Sequence, residues 1–437
     1  MNSEKRTNTM KKPRITLWPL IPFLFLLLQV SCRKDEPVPP EQEPTVEEKA
    51  RDQLYKIMKD WYLWYDKMPE VNPADYKGPE DLLEALRYKE LDKWSFVAEK
   101  SIFESYFGAG QYLGFGYGYA YDAQGKVWIT FVFRDSPLYP QGVRRGWRLT
   151  AIDDHELAPY EDLGPLMGDP VAGVEKTFTF LEPDSTEVSY TVAKDTIQIN
   201  AVLLADTLHV GGEVVGHLVF QTFVQTAMAE LDSAFAYFRS VNATQLIVDL
   251  RYNGGGSLDV AQQLGSLIAG NANAGKTLCR LEHNDKRTSQ DEDIPFLSLP
   301  NALDLNRVIY ITSRGSASAS EVVINGVKPF MSTALIGDRT YGKPVGMHSW
   351  LYDKYVFVPV CFRLVNANGE GDYFNGLPAD DYAEDGLQYA FSDRREPRLR
   401  DAIIYLETGS FPNPAQKKSA TVRLPAWKGI YTEIGAL

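Results

Sequence analysis

Residues 309–345 read IYITSRGSASASEVVINGVKPFMSTALIGDRTYGKPV, and they set out a strand, a turn, a helix and a second strand in succession. The apolar run at 308–311 predicts a short buried strand, and residues 320–327 repeat their apolar side chains at helical spacing. A second strand is predicted at 334–337, before the turn Tyr341-Gly342-Lys343. Loops at the ends of strands in one sheet lie close together, so this order predicts that Ser318 and Lys343 meet.

Ser318 stands where the first predicted strand passes into the helix. At such a junction backbone N–H groups are unsatisfied and the helix dipole favours negative charge, which suits the oxyanion formed by nucleophilic attack. The N–H of Ala319 is the expected donor. A desolvated lysine can lose its proton near neutral pH and serve as the base that a serine nucleophile needs, and Ser-Lys pairs are a known triad variant. The same residues also fit an ordinary small-residue helix start with a surface lysine at Lys343.

A second motif, LIVDLRYNGGGS, occupies residues 246–257. Residues 245–250 predict a buried strand, and the three glycines after it permit positive φ angles and the close approach of a substrate backbone. A glycine run of this kind is also compatible with an ordinary turn. Asp249 and Arg251 fit a structural ion pair better than a catalytic one.

The motif GSASASE with its later Gly-Lys turn, together with DLRYNGGG at 249–256, resembles the C-terminal processing, or tail-specific, serine peptidase family. The resemblance implies that Ser318 is the nucleophile and that Lys343, 25 residues later, is the general base. It implies a second oxyanion N–H from a glycine of the second motif, Gly255, beside that of Ala319. It also implies a crotonase-like α/β peptidase core that acts on proteins or peptides without a cofactor.

One position departs from this family pattern. Many members have a glutamine four residues after the lysine, where it orients the lysine side chain, and this chain has Met347 there. Orientation of Lys343 must then come from another group, or activity is weakened.

The composition limits the classes of partner. The chain has 437 residues, of which 44% are hydrophobic and 24% charged, as in a globular protein of two or three domains. Its formal net charge of −13 argues against a nucleic-acid partner, because phosphate contacts need clustered Lys and Arg. The five histidines are scattered without metal-ligand spacing, so no metal site is predicted. Cys279 and Cys361 could pair in an oxidising compartment or remain buried thiols.

The N-terminal residues predict export. A basic start precedes an apolar run at 15–30, which is short for a membrane span and typical of a signal peptide. Cys32 directly follows Ser31, an arrangement that resembles a bacterial lipobox with Cys32 acylated after cleavage. Residues 33–36 resemble the tag that sends lipoproteins to the outer face in one group of Gram-negative bacteria. We expect an outer-membrane lipoprotein of the cell envelope; an uncleaved anchor or a plain secretory signal is the alternative.

The middle of the chain changes character twice. Thr45 and Glu48 predict a capping box that opens a helix, and from Gln111 the residues favour short strands and turns, with a turn and short helix at 135–149. The order of this region resembles a PDZ domain, in which a glycine loop binds the carboxylate of a chain end. That loop would consist of Leu113, Gly114, Phe115 and Gly116. After Thr196, alternating strands and helices predict a mainly parallel layered sheet.

The predicted fold is therefore an α/β multidomain protein, with a crotonase-like peptidase core, a PDZ-like β-rich domain and a small N-terminal helical domain. Its predicted regions are a lipoprotein signal peptide (1–31), a lipidated tether (32–44), the helical domain (45–107), the PDZ-like domain (108–197), the serine peptidase core (198–408) and a C-terminal tail (409–437).

Two other interpretations of function stay open at this point. His348 lies five residues past Lys343 and could act as the base instead, since Ser-His pairs are chemically commoner. Alternatively, the protein is a surface lipoprotein that binds peptides as a scaffold, with the dyad idle because the orienting glutamine is absent.

Overall fold

The structure is a computed structural model that describes residues 43–413 and Leu424. The predicted signal peptide, the lipidation site Cys32 and nearly all of the tether and the C-terminal tail lie outside the described residues. Within the described part of the chain, no helix combines the length and the apolar character needed to cross a bilayer.

The described residues form α-helices and β-strands. The α-helices are α1 (Val46–Trp61), α2 (Pro79–Leu86), α3 (Lys100–Phe103), α4 (Ala227–Ser240), α5 (Leu258–Ala269), α6 (Ala319–Val327) and α7 (Pro397–Thr408). The strands are β1 (Phe96–Glu99), β2 (Gln111–Gly114), β3 (Tyr117–Tyr121), β4 (Val127–Val132), β5 (Arg148–Ile152), β6 (His155–Glu156), β7 (Glu175–Leu181), β8 (Glu187–Ala193), β9 (Asp195–Gln198), β10 (Val202–Val210), β11 (Glu213–Phe220), β12 (Gln245–Asp249), β13 (Thr277–His283), β14 (Glu292–Pro295), β15 (Arg307–Thr312), β16 (Ser332–Gly337), β17 (Val345–Met347), β18 (Trp350–Tyr352), β19 (Tyr355–Val358), β20 (Val360–Val365) and β21 (Asp381–Tyr382).

A six-stranded sheet in the order β10-β11-β12-β15-β16-β21 forms the centre of the molecule. Its strands run parallel except for β10, which pairs antiparallel with β11 at one edge. Successive side chains of a strand point to opposite faces, so Leu246 and Val248 pack under α4, α5 and α6 while Ile247 packs under α7. Both faces are covered, which explains the nearly continuous apolar runs of β12 and β15. The predicted mainly parallel sheet is confirmed.

The N-terminal helices share a core with strands from much later in the chain. Leu54 of α1 and Leu82 of α2 pack with Val345, Phe357 and Val360 in one apolar cluster. Strand β1 pairs antiparallel with β19, and these two form a three-stranded sheet with β18. The predicted capping box at Thr45 and Glu48 is present at the start of α1. The first helices are therefore fixed by the segment that follows Lys343.

The β-rich region has a sheet and an aromatic core of its own. Strands β3-β4-β5-β7-β8 form the sheet, and β6 pairs with β5. The prediction of a short helix within 135–149 is wrong, because residues 135–147 form successive turns, in which Gly142 and Gly146 adopt φ angles of 88° and 96°, and β5 begins at Arg148. Pro140 adds to the interruption, since its ring removes a backbone donor. Between β6 and β7 the chain makes a 3-10 helix of four residues, Gly164–Met167.

A buried charge network joins the central sheet to the residues before α7. Arg251 contacts Asp249, Asp385 and Glu396, with Nη1 at 2.9 Å from Asp385 Oδ1 and 2.8 Å from Glu396 Oε1. Arg145 of the β-rich region donates to the same Asp385 Oδ1 at 2.6 Å. All five side chains are buried. The interpretation of Asp249 and Arg251 as a structural pair agrees with this geometry.

The network also fixes how the stability should depend on pH. Burial alone would raise the pKa of the Asp385 carboxyl, but the guanidinium groups of Arg145 and Arg251 outweigh it and hold that pKa well below its usual range. Arg251 likewise lowers the pKa of Glu396 against the effect of burial. Because the folded pKa values lie below the unfolded values of about 3.9 and 4.3, the stabilisation is complete above about pH 5 and is lost as the pH falls further.

We expect Arg251→Met to lower the free energy of unfolding by about 3–5 kcal/mol at pH 7, because three buried carboxylates lose their shared cation. Urea unfolding measures this difference. Repeated at pH 4, the difference should shrink, because the variant can protonate its unpaired carboxyls. Arg395→Met, which removes an exposed pair with Asp393, is the matched control and should leave the midpoint unchanged. Equal midpoints for Arg251→Met and the wild type would contradict the assignment.

Candidate active site

Ser318 occupies a strained backbone position at the N-terminus of α6. Its φ and ψ angles are 54° and −113°. Residues other than glycine seldom adopt this backbone conformation, and those that do are concentrated at functional sites. Neighbouring hydrogen bonds hold it there: the Ser318 N–H donates to Glu321 Oε2 at 3.0 Å, and the Ala317 N–H donates to Asn253 O at 3.0 Å. The surrounding structure therefore imposes the conformation of this serine.

The three serines of SASAS have different roles. The Ser316 hydroxyl donates to Leu250 O at 2.8 Å, and the Ser320 hydroxyl donates to Asn253 O at 3.0 Å. Both outer serines thus bind the second motif to the start of α6. Ser318, the middle one, instead lines a cavity of about 260 Å³ that it shares with Lys343. The structure therefore brings the two predicted dyad residues together.

The glycine motif lies directly against the serine. A Cβ atom on Gly255 would stand 2.8 Å from Ser318 Cβ and 3.0 Å from Ala319 N, and the φ of Gly255 is 106°, so only glycine fits there. The Gly255 N–H, however, donates to Asn253 Oδ1 at 2.9 Å. The next residue, Gly256, lines the cavity together with Ser318 and Ala319. Two neighbouring glycines thus border the place where the oxyanion would form.

Glu321 is the group in the site that the sequence interpretation missed. Its fully buried carboxylate accepts hydrogen bonds from the backbone N–H groups of Ser318 (3.0 Å), Lys343 (2.8 Å) and Gly342 (2.7 Å), and from the Thr340 hydroxyl (2.6 Å). Burial raises the pKa of Glu321 to about 6, although these four donors favour the charged form. The Ser-x-x-Glu spacing of a capping box was the available signal.

Lys343 is 3% exposed and follows a turn that only glycine can make. Gly342 has a φ of 102°, and a Cβ there would stand 2.4 Å from Phe374 O. Met347, which replaces the glutamine of the family pattern, lines the same cavity as Lys343. The backbone N–H of Lys343 is fixed by Glu321, so the second dyad residue is positioned through the same carboxylate as the first.

His348, the alternative base, faces a different set of residues. Its Nε2 lies 3.0 Å from Nε2 of His283, the two rings stack at 11°, and Trp61 meets both edge-on. Burial, together with the nearby His283, lowers the pKa of His348 to about 4. Its neighbour Met347 lines the cavity with Ser318, whereas His348 is not among the residues that do so.

The predicted carboxylate-binding loop lies apart from this cavity. Leu113 and Gly114 belong to β2, which pairs with β9, and Phe115 is buried in the aromatic core of the β-rich region. Gly116 packs on Ser136, where a Cβ would stand 2.6 Å from Ser136 Cβ. The loop is thus a packed turn, and its role in binding a ligand stays a prediction.

The two cysteines of the described residues are free and buried. They lie on the paired strands β13 and β20, whose register sets His283 opposite Phe362 and Arg280 opposite Val365. This register offsets Cys279 from Cys361 by several positions along the ladder, which is too far for a disulfide. Burial raises the pKa of both thiols to about 12. Among residues 43–413 there is no group of three or more His, Cys, Asp or Glu side chains arranged to hold a metal ion.

Comparison with known proteins gives similarities to one family. Residues 214–360 match the model of peptidase family S41, and residues 49–96 match the peptidase S41 N-terminal domain. A probable CtpA-like serine protease of Staphylococcus epidermidis is 25% identical over 224 residues, which are 50% of this chain and 43% of that protein. Its Staphylococcus aureus counterpart is 24% identical over 304 residues, 67% of this chain and 56% of that one.

The fold has a solved counterpart as well. A crystal structure of a proposed S41 protease from Bacteroides fragilis superimposes with a TM-score of 0.66 at 23% identity, and covers 84% of this chain and 98% of that chain. The chain spans about half the length of the curated relatives it matches. From these matches and from its two motifs, we conclude that the chain carries the N-terminal domain and the peptidase domain of peptidase family S41, the C-terminal processing peptidases.

Proposed function

We propose that the protein is a serine endopeptidase that hydrolyses peptide bonds with a Ser318-Lys343 dyad. The observation that carries this proposal is the shared cavity: a strained serine at a helix N-terminus and a buried lysine line the same space, and one carboxylate fixes the backbone of both. The similarity to proteins named as CtpA-like serine proteases supports the same reaction class.

In the proposed reaction, the Ser318 hydroxyl attacks the peptide carbonyl carbon while Lys343 Nζ takes up its proton. The tetrahedral intermediate collapses to an acyl-enzyme, and Lys343 passes the proton to the leaving amine. Water, deprotonated by Lys343, then attacks the ester, and Lys343 returns the proton to the Ser318 oxygen as the second product leaves. The attack by Ser318 and the attack by water each need Lys343 as the neutral amine, whereas the transfer to the leaving amine uses the ammonium form that the first attack produces.

The oxyanion is held by backbone N–H groups. Ala319 is the first residue of α6, where helix N–H groups lack partners within the helix and the dipole favours negative charge. The second donor comes from the glycine pair 255–256: Gly255 lies beside Ser318, and Gly256 lines the cavity. Because the N–H of Gly255 is already bonded to Asn253, its use requires that bond to be exchanged.

The remaining parts of the proposal concern the other domains and the location. A crotonase-like core agrees with the parallel central sheet, and a PDZ-like domain agrees with the separate sheet of the β-rich region, in which β3 is an edge strand. Such an edge can bind the C-terminal end of a substrate by strand addition. From the lipobox-like motif at Cys32 we propose a lipid-anchored protein of a Gram-negative outer membrane.

A peptide-binding scaffold without activity is the second candidate. Met347 favours it, because a thioether cannot supply the hydrogen bond that a glutamine at that position would offer to Lys343. Against it stand the nucleophile and the base, which share one cavity. Only the peptidase hydrolyses the peptides that it binds, so a measurement of hydrolysis distinguishes the two candidates.

We expect Ser318→Ala and Lys343→Ala each to lower kcat for peptide hydrolysis at least about 10⁴-fold, because residues that act as one unit fail together. His348→Ala is the matched control and should retain activity, since His348 contacts His283 instead of the cavity. Product formation by mass spectrometry, with circular dichroism for folding, measures both. Full activity in Lys343→Ala together with its loss in His348→Ala would make the histidine the base.

The carboxylate of Glu321 predicts an acid limb in the pH profile. Below a pH of about 6 this carboxyl takes up a proton, and the four hydrogen bonds that it accepts weaken, among them those of the Ser318 and Lys343 N–H groups to Oε2. We expect kcat/KM to fall through this range. Glu321→Gln, which presents an NH₂ where N–H groups need acceptors, should lower kcat/KM about 10–100-fold and remove this limb. Glu370→Gln, on an exposed carboxylate, is the control; identical profiles for Glu321→Gln and wild type would refute the role.

Met347→Gln tests whether the missing amide limits activity. If Lys343 lacks an orienting partner, one added hydrogen bond should raise kcat/KM about 2- to 12-fold, which corresponds to 0.5–1.5 kcal/mol. Met347→Leu keeps the volume without the amide and should change little. Steady-state kinetics of the three proteins decides the question, and a lower kcat/KM in Met347→Gln than in Met347→Leu would mean that Lys343 is already oriented.

A further inference from the structure

The cavity beside the dyad is lined mainly by apolar side chains. Its polar lining groups are the dyad itself, Ser257 and Ser349, and no carboxylate of the described residues lines it. The apolar walls come from three directions: Leu258 and Val322 at the starts of α5 and α6, Met347 and Phe362 from the β17-β20 pair, and Phe103 with Phe107 from outside the sheets. A cavity with such walls favours an apolar occupant.

Its size selects the kind of occupant. A cavity of about 150 Å³ lined by aliphatic and aromatic side chains admits benzene, and this one measures about 260 Å³. It therefore holds a phenyl or branched aliphatic side chain and leaves the methyl group of an alanine with few contacts. A side chain that fills the space removes more apolar surface from water and binds more tightly.

We propose that this cavity binds a large apolar side chain, that of Leu, Met or Phe, on the substrate residue whose carbonyl Ser318 attacks. The inference rests on the proposed peptidase function. Ala319 and Gly256, which border the expected position of the carbonyl oxygen, are themselves part of the cavity wall. The side chain next to that carbonyl therefore enters the same space.

Phe103 and Phe107 are the specificity-determining residues of this site. They lie on α3 and on the π-helical turn Glu104–Gly108 that continues it, and their rings contact each other at a centroid distance of 4.8 Å. Both are half-buried, so each has a face available to an occupant. Turns with π-helical hydrogen bonding are frequent at functional sites. This segment joins the N-terminal helices to the β-rich region and places two aromatic rings opposite the catalytic core.

Charged side chains are excluded for two separate reasons. A carboxylate in the cavity would pair with the Lys343 ammonium and keep the proton on the lysine, which removes the base. A guanidinium or ammonium group would lose its water without gaining an anionic partner, because no carboxylate of the described residues lines the space. The cavity therefore favours apolar side chains over both acidic and basic ones.

The test uses peptides that are identical except for one residue, which is Gly, Ala, Leu, Phe, Asp or Arg, with the cleaved bond identified by mass spectrometry. We expect cleavage after the varied residue, with kcat/KM for Leu and Phe at least about tenfold above Ala and with Asp and Arg below Ala. Phe103→Ala should reduce the preference for Phe over Ala several-fold. Ile102→Ala is the matched control, because Ile102 is half-buried on the same helix but is not part of the cavity lining.

A second variant and a second readout keep the outcomes separate. Phe107→Ala repeats the test should Phe103→Ala fail to fold, as judged by its melting temperature. Calorimetric binding of the Leu and Ala peptides to Ser318→Ala reports on the cavity without turnover. Preferred binding of the Leu peptide with no hydrolysis by wild type would retain the cavity assignment and overturn the peptidase. Hydrolysis at equal rates for all six residues, or a preference on the amine side of the cleaved bond, would overturn the cavity assignment alone.

Discussion

One carboxylate holds the candidate site together. Glu321 accepts hydrogen bonds from the backbone N–H groups of Ser318, in the segment after β15, and of Lys343, in the segment after β16. Burying a carboxylate without hydrogen-bond donors would destabilise the folded state, so the Glu321 carboxylate needs its four donors. The donors in turn are held in place by the carboxylate. The strained φ of Ser318 is stable only within this arrangement. The geometry of the nucleophile and that of the base are therefore coupled through a residue that reacts with neither.

A second set of contacts positions the glycine motif. Asn253 O accepts from the Ala317 N–H and the Ser320 hydroxyl, and the Asn253 side chain holds both Phe220 O and the Gly255 N–H. Tyr252, one residue earlier, contacts Arg145 of the β-rich region and Asp385 of the buried charge network. The glycine motif is thus hydrogen-bonded on one side to the segment that carries Ser318, and on the other to the β-rich region and the buried charge network.

The sequence allowed the local elements of the site to be predicted. Apolar periodicity identified β15 and α6. The glycines of the second motif indicated a place where another group approaches the backbone closely, and Gly255 does pack directly against Ser318. Partners far apart in the sequence were not accessible in this way: three of the four donors of Glu321 lie 19 to 22 residues away, and periodicity carries no information on them. The helix predicted at 135–149 failed because local propensity was outweighed by glycines with positive φ. The resemblance to a family supplied the role of Lys343, which spacing alone left open.

The pairing of β1 with β19 has a consequence for synthesis. The helices at the start of the described chain bury their apolar faces against Val345, Phe357 and Val360, which the ribosome adds more than 250 residues after α1. At about 5–20 residues per second, the early segment waits for tens of seconds before its partners exist. The cavity wall that Phe103 and Phe107 provide is completed only when those late strands fold. A nascent chain that lacks those strands consequently has no finished cavity beside Ser318.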